Sequence, residues 1–280
     1  MESLTVHDFD KAGRRFTTGR TLVMGVLNVT PDSFSDGGQF SDLERACARA
    51  RTIAAEGADI LDMGGESTRP ESTPVSVEDE LARILPVLRR TAIDVSCPVS
   101  IDTYKAVVAE RAIEAGARIV NDVWGLQQDP AMAGVVAAGG VGLIVMHNRT
   151  SVDGSIDILD DVLRYLEQSL DLARRAGIDE RRIVVDPGIG FGKTLEQNLL
   201  LIARLGTLRE RLGRTVLVGA SRKSMIGRIF PSEPMQRVPG TIALHTAGVL
   251  AGADIIRAHD VREAVQAARV VDKLKGFWTP

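Results

Sequence analysis

Cysteine is almost missing from the chain: 280 residues contain two, Cys47 and Cys97. Neither stands in a metal or redox spacing. That argues against a disulfide framework or a thiol active site, and both read as reduced structural residues of a cytoplasmic protein. An excess of one charge is also missing. Lys+Arg 34 against Asp+Glu 37 leaves a net −3, which offers nothing to a polyanion, so no nucleic-acid partner is expected. No apolar run is long enough for a bilayer. The most apolar window, residues 135–146, is short and rich in glycine, so no membrane partner is expected either. The first residues lack an apolar core and carry Glu2, Asp8 and Asp10, which argues against a secretory or transit leader. No Gly-, Ser- or Pro-rich linker divides the chain.

What is present is a globular composition, 44% hydrophobic and 25% charged, at a length that suits one large α/β domain. Residues 1–20 are polar and aperiodic and read as an arm or hairpin. From residue 21 to 280 a short apolar run followed by an amphipathic pattern repeats. The runs are 21–27, 58–63, 98–101, 118–120, 141–146, 182–185, 215–218 and 253–256. Leu43, Ala46, Cys47, Ala50, Ile53 and Ala54 recur at helical spacing, with Ser41 and Glu44 placed as a capping box. Val261, Ala264, Val265, Ala268 and Val271 do the same, with Asp260 as N-cap and Glu263 at N3. Eight strand–helix units predict a single (β/α)8 TIM barrel. The competing open doubly wound sheet would gather its polar strand ends at one switch point. Here Asn28, Glu66, Asp102, Asn121, His147, Asp186, Lys223, Arg257 and His259 all stand at or just past strand ends, which in a barrel share one mouth.

The densest chemistry lies in Arg182-Ile-Val-Val-Asp-Pro-Gly-Ile-Gly-Phe-Gly-Lys193. A β-branched strand ends on Asp186, Pro187 stops the ladder, and three glycines are expected to let a ligand near the backbone. The spacing is neither a Rossmann fingerprint nor a P-loop. Asp102, Asn121 and Asp186 suit a flat heterocycle edge with several N–H donors, whereas a metal cage of two Asp is the less favoured alternative. Asn28 can offer a neutral oxygen to Mg2+. Gly64 and Gly65 are read as allowing close ligand approach, and Arg69 as an anion clamp. Ser221-Arg222-Lys223-Ser224 and Arg257-Ala258-His259-Asp260 follow the last two strands, where barrels commonly bind phosphate. His245, in a helical pattern, reads as a packed or surface residue.

Taken in order, Asn28-Val-Thr-Pro-Asp-Ser-Phe-Ser-Asp-Gly-Gly38, Gly64-Gly-Glu-Ser-Thr-Arg-Pro70, Ser100-Ile-Asp-Thr103, Asn121-Asp122, the Asp186 stretch, Ser221-Arg-Lys-Ser224 and Arg257-Ala-His-Asp-Val261 resemble the dihydropteroate synthases. The first two motifs are specific to that family. The likeness runs from about residue 22 to residue 275. It implies a transferase of folate biosynthesis that condenses 6-hydroxymethyl-7,8-dihydropterin diphosphate with 4-aminobenzoate. Asp102, Asn121, Asp186, Lys223 and Arg257 would hold the pterin, and Thr68, Arg69, Arg257 and His259 the diphosphate. Phe34, Pro70, Phe191, Lys223 and Ser224 would surround the aminobenzoate, and Asn28 would bind Mg2+ as cofactor. Arg69, Lys223, Arg257 and His259 would carry the catalysis. The family also implies a homodimer through apolar Ile242, Ala243, Ala247, Val249 and Leu250. Cobalamin-linked methyltransferases share the pterin pocket but lack the Ser-Phe-Ser-Asp-Gly-Gly and Ser-Arg-Lys stretches. Two departures from the family pattern fall at the rim, Glu71 and Asn148-Arg-Thr-Ser151.

Overall fold

The computed structural model describes residues 19–30, 38–66 and 74–277. Eight parallel strands close into a barrel in chain order: β1 (Leu22–Asn28), β2 (Ile60–Gly64), β3 (Val99–Asp102), β4 (Ile119–Asp122), β5 (Gly142–Met146), β6 (Ile183–Asp186), β7 (Thr215–Val218) and β8 (Ile255–Ala258), with β1 pairing β8. Each strand agrees with its predicted run to within two residues. Around them lie α1 (Gly38–Ala55), α2 (Val77–Asp94), α3 (Ala106–Glu114), α4 (Met132–Gly139), α5 (Ile158–Arg175), α6 (Leu195–Ala203), α7 (Leu205–Leu212), α8 (Ser224–Ile229), α9 (Val238–Leu250) and α10 (Val261–Lys275). The sixth and seventh units thus each carry two helices. The expected arm lies almost wholly outside the described residues. At its end Arg20 forks onto Asp59 at 2.8 and 2.6 Å, and Thr21 hydrogen-bonds Asp272 of α10 at 2.7 Å.

Strand alternation divides the apolar residues into two cores. Outward-facing residues such as Val23, Leu61, Ile101, Val120, Val185 and Ile256 pack against the helices. Inward-facing Leu22, Met24, Ile60, Ile119, Ile144, Val184, Leu217 and Ile255 form a separate plug inside the barrel. The plug closes the bottom, so any ligand enters from the carboxyl ends of the strands.

One helix start differs from expectation, and one cap keeps its place without its hydrogen bond. α1 begins at Gly38, so Ser41 is its fourth residue and not its cap. Asp260 does sit at the N-cap of α10, but its side chain caps nothing there, because Arg222 takes both carboxylate oxygens.

Candidate active site

Two residues along from the plug, the same inward phase carries polar side chains. Ile60 is followed by Asp62, Ile119 by Asn121, Val184 by Asp186 and Ile255 by Arg257, while Asp102 pairs in register with Asn121. Asp62, Asp102, Asn121 and Asp186 are all buried. Arg257 reaches across the mouth, its Nε donating to Asp62 Oδ2 and its Nη2 to Asp102 Oδ2, both at 2.7 Å. Asn121 Nδ2 donates to Asp62 Oδ2 at 3.3 Å. Asp62 Oδ1 and Asp102 Oδ1 are buried without a hydrogen-bond partner among the described residues. Such acceptors cost about 1–3 kcal/mol each until a donor arrives. Burial pushes the Asp102 carboxyl up to about 7, Arg257 opposing and Asp62 adding to the rise. Asp62 was not among the expected site residues. It lies inside its strand, not at the end, and only its phase with Ile60 marks it as inward-facing.

The loop after β6 follows its glycines, though for a different reason from the one expected. Gly188 has φ +68° and a Cβ there would stand 1.9 Å from the His147 carbonyl oxygen; at Gly190, φ +86°, it would meet the Lys223 stem at 2.8 Å. The space is filled by protein atoms, so these glycines let the loop fold against its neighbours and not against a ligand. Gly65 likewise makes room for Ile84 of α2, 2.7 Å from a built Cβ. Lys193 ties the loop from within, donating to the Gly188 and Phe191 carbonyls at 2.8 and 3.0 Å. Asp186 Oδ1 accepts from Gly188 N at 2.7 Å, which leaves Oδ2 for a ligand.

Lys223 arrives from the loop after β7. Its ammonium donates to the Ile189 carbonyl and lies 4.3 Å from the Phe191 ring centre. Burial lowers it to about 8, with Asp186 opposing. Burial also raises the Asp186 carboxyl against the pull of Lys223. Ser221 Oγ accepts from His259 N at 3.1 Å and meets His259 Nδ1 at 2.9 Å, which orients that imidazole. Ser224 is exposed at the start of α8 and Asn28 half-buried at the end of β1.

Other polar strand ends serve the scaffold. His147 is buried beside Asp161 at 3.1 Å, with Arg149 on the same carboxylate at 2.6 Å, and burial lowers its imidazole to about 3. Glu66 accepts from Lys105, which also holds Glu80 at 2.6 Å and the Val75 carbonyl at 2.8 Å. His245 is packed out of solvent and pushed down to about 4 by burial. Phe34, Thr68, Arg69, Pro70 and Glu71 lie outside the described residues.

With this geometry in place, the chain can be set beside known proteins. The model of the pterin binding enzymes matches residues 24–259. The dihydropteroate synthase of Bacillus subtilis is 45% identical over 91% of this chain and 89% of its own. A Clostridium difficile dihydropteroate synthase solved in the presence of pteroic acid superposes with a TM-score of 0.88 at 45% identity, covering 91% of this chain and 97% of its own. The Xanthomonas albilineans enzyme in complex with 7,8-dihydropteroate gives 0.87 at 42%, covering 97% and 99%. Fold, inward-facing polar layer and likeness along the chain agree: it belongs to the pterin binding enzymes and, within them, to the dihydropteroate synthases.

Proposed function

We propose that the barrel mouth joins 6-hydroxymethyl-7,8-dihydropterin diphosphate to 4-aminobenzoate, releasing pyrophosphate and 7,8-dihydropteroate, and that the residues named below do it. The carrying observation is the inward polar layer. Asp62 Oδ1 and Asp102 Oδ1 are buried acceptors without a partner among the described residues, Asp186 adds a third carboxylate to the same layer, and a pterin presents several N–H donors. An analogue without those donors would leave the carboxylates unpaired, which is how such a site selects. Asn121 adds an amide that gives and accepts. Lys223 serves the carbonyl side of the ring, and Arg257, held flat by two carboxylates, offers a plane for stacking.

The chemistry suits this chain. The bond from the pterin methylene to the diphosphate oxygen breaks, the arylamine nitrogen takes the carbon, and the amine sheds a proton. The reading needs anion stabilisers at the leaving group more than a general base. Thr68, Arg69, Arg257 and His259 serve the diphosphate. Phe34, Pro70, Phe191, Lys223 and Ser224 shape the aminobenzoate site, with Phe191 and Lys223 already stacked.

Mg2+ fits at Asn28. The amide oxygen is hard and neutral, and its register partner Gly64 adds no side chain to crowd it. Mg2+ takes one or two protein oxygens beside phosphate oxygens and water. When bound it would neutralise charge on the diphosphate.

The reading extends to a cytoplasmic homodimer. Free, buried Cys47 and Cys97 suit a reducing compartment, and among the described residues no helix is long and apolar enough to cross a membrane. Val249 packs in the barrel's own core and leaves the expected dimer face, while exposed Ile229, Phe230 and Met235 bring apolar surface just before α9. Sedimentation of the purified protein decides this point. The reaction is tested by mixing both substrates with Mg2+ and measuring pyrophosphate. Release that needs 4-aminobenzoate supports the synthase. Methyl transfer to a corrinoid without such release, or pterin binding without turnover, would replace it.

A further inference from the structure

Arg222 adopts a backbone conformation that its side chain disfavours. Its φ is +58°, in the left-handed region where a Cβ is crowded. The surroundings hold it there: its N–H donates to Thr241 Oγ1 at 3.0 Å, and its carbonyl accepts from Arg237 Nη1 at 3.1 Å. A kink that is over-determined in this way commonly has a use. Here it aims the guanidinium at Asp260, with Nε and Nη2 forked on the two carboxylate oxygens at 2.9 and 2.5 Å and Nη1 on Met235 Sδ at 2.9 Å. The two side chains are only 22% and 14% exposed, so solvent screens the pair less than an ordinary surface bridge.

The flanking residues give the fork its meaning. Arg222 stands between Ser221 and Lys223, and Asp260 follows His259. Ser221 already grips His259 through Oγ. Two consecutive residues after β7 therefore hold two consecutive residues after β8. We propose that Arg222 and Asp260 are a positioning pair that fixes the spacing between Lys223 and His259, and so between the pterin half and the diphosphate half of the site. This rests on the roles proposed above for Lys223 and His259. Neither member of the pair needs to touch substrate. A ligand that spans both halves binds well only if their separation is set in advance, whereas a ligand confined to one half is indifferent to it.

That difference supplies the test. Arg222→Gly accepts the left-handed backbone and deletes the fork. Asp260→Asn keeps the volume and deletes the charge. Titrations with Mg2+ present compare 6-hydroxymethylpterin, inorganic pyrophosphate, and the pterin diphosphate that joins them. Both single variants are expected to bind the two fragments within twofold of wild type and the diphosphate ester at least fivefold more weakly. The double variant is expected to be no worse than the worse single one, because both remove one interaction. The proposal is overturned if the ester binds the variants as it binds wild type, if the fragments weaken as much as the ester, or if the two losses multiply. Should Arg222→Gly fail to fold, the fragment comparison on Asp260→Asn alone decides. Wild-type enzyme that takes neither fragment nor ester would overturn the proposed reaction, and the pair's role with it; intact wild-type binding with unaltered variants overturns only the pair.

Discussion

Lys223 carries a charge that its surroundings do not favour. Burial lowers its ammonium from 10.5 to about 8. Between those values the unfolded chain binds more protons than the folded one, so this group makes folding more favourable as pH rises through that window. The role proposed for it runs the other way, since only the ammonium would donate to the pterin carbonyl. Pterin affinity is therefore expected to fall as pH rises past about 8 while the fold does not weaken through this group. Lys223→Met keeps most of the stem and removes the charge. It should lower turnover at least tenfold at neutral pH, about 1.4 kcal/mol, and flatten the alkaline limb of pterin binding. Titration calorimetry across pH checks it; Lys193, pushed down to about 7 in the loop after β6, would then account for any limb that survives. The neighbouring carboxylate gives a second expectation. Asp186 spends Oδ1 on Gly188 N and has Oδ2 left. Asp186→Asn turns one side of that group from acceptor to donor, and should cost about 2–4 kcal/mol of pterin affinity. Unchanged affinity would remove Asp186 from the site.

The loop after β6 is the element that joins strand order to side-chain placement, and its glycines are not equivalent. At Gly188 a Cβ meets backbone, the His147 carbonyl, which cannot step aside; at Gly190 it meets the flexible Lys223 stem. Gly188→Ala is therefore expected to destabilise the fold by about 2–4 kcal/mol, strain plus clash. Gly190→Ala should lose only about 1–2 kcal/mol, the strain of a left-handed alanine, while displacing Lys223 and weakening pterin binding. Urea midpoints and pterin titration on the same two proteins separate the effects, and equal destabilisation would mean that the loop yields as a unit. At this scale much was legible in the sequence. β-branched runs ending in polar residues located all eight strands, because buried parallel strands have little other composition to choose from. Asp62 is not marked by a polar strand end, because it lies mid-strand; the alternation from Ile60 holds its signal. The glycines stand out in the sequence, but sequence does not say whether a missing side chain makes room for a ligand or for the carbonyl at the end of the neighbouring strand. Asp260 takes the N-cap position that local spacing predicts, but its carboxylate pairs with Arg222, 38 positions away, which local spacing does not show.

On the scale of the whole molecule, the site is assembled from parts with unequal support. Its floor is rigid: Asp62, Asp102, Asn121, Asp186 and Arg257 stand on strands, over a plug of eight apolar side chains. The residues assigned to 4-aminobenzoate stand otherwise. Phe191 and Lys223 come from loops anchored on that floor, but Phe34 and Pro70 belong to segments 29–38 and 67–75, whose sequences are rich in Ser, Thr, Pro, Asp and Gly. Fixing a residue costs on the order of 1–2 kcal/mol of backbone entropy, and these sequences hold few apolar side chains to offset it. Charge must supply the balance. Arg69 on one segment suits an anion, and Asp32 and Asp36 on the other a cation; Mg2+ with the diphosphate would provide both. The aminobenzoate site is therefore expected to be complete only after the pterin half is filled. Labelled 4-aminobenzoate should bind the free enzyme weakly, and at least tenfold more tightly with a pterin and Mg2+-pyrophosphate present. By linkage, saturating 4-aminobenzoate should tighten the joint binding of the pterin and Mg2+-pyrophosphate by the same factor. Equal affinity with and without the first ligands would mean that the second site is preformed on the rigid floor, and that Phe34 and Pro70 are not needed to build it.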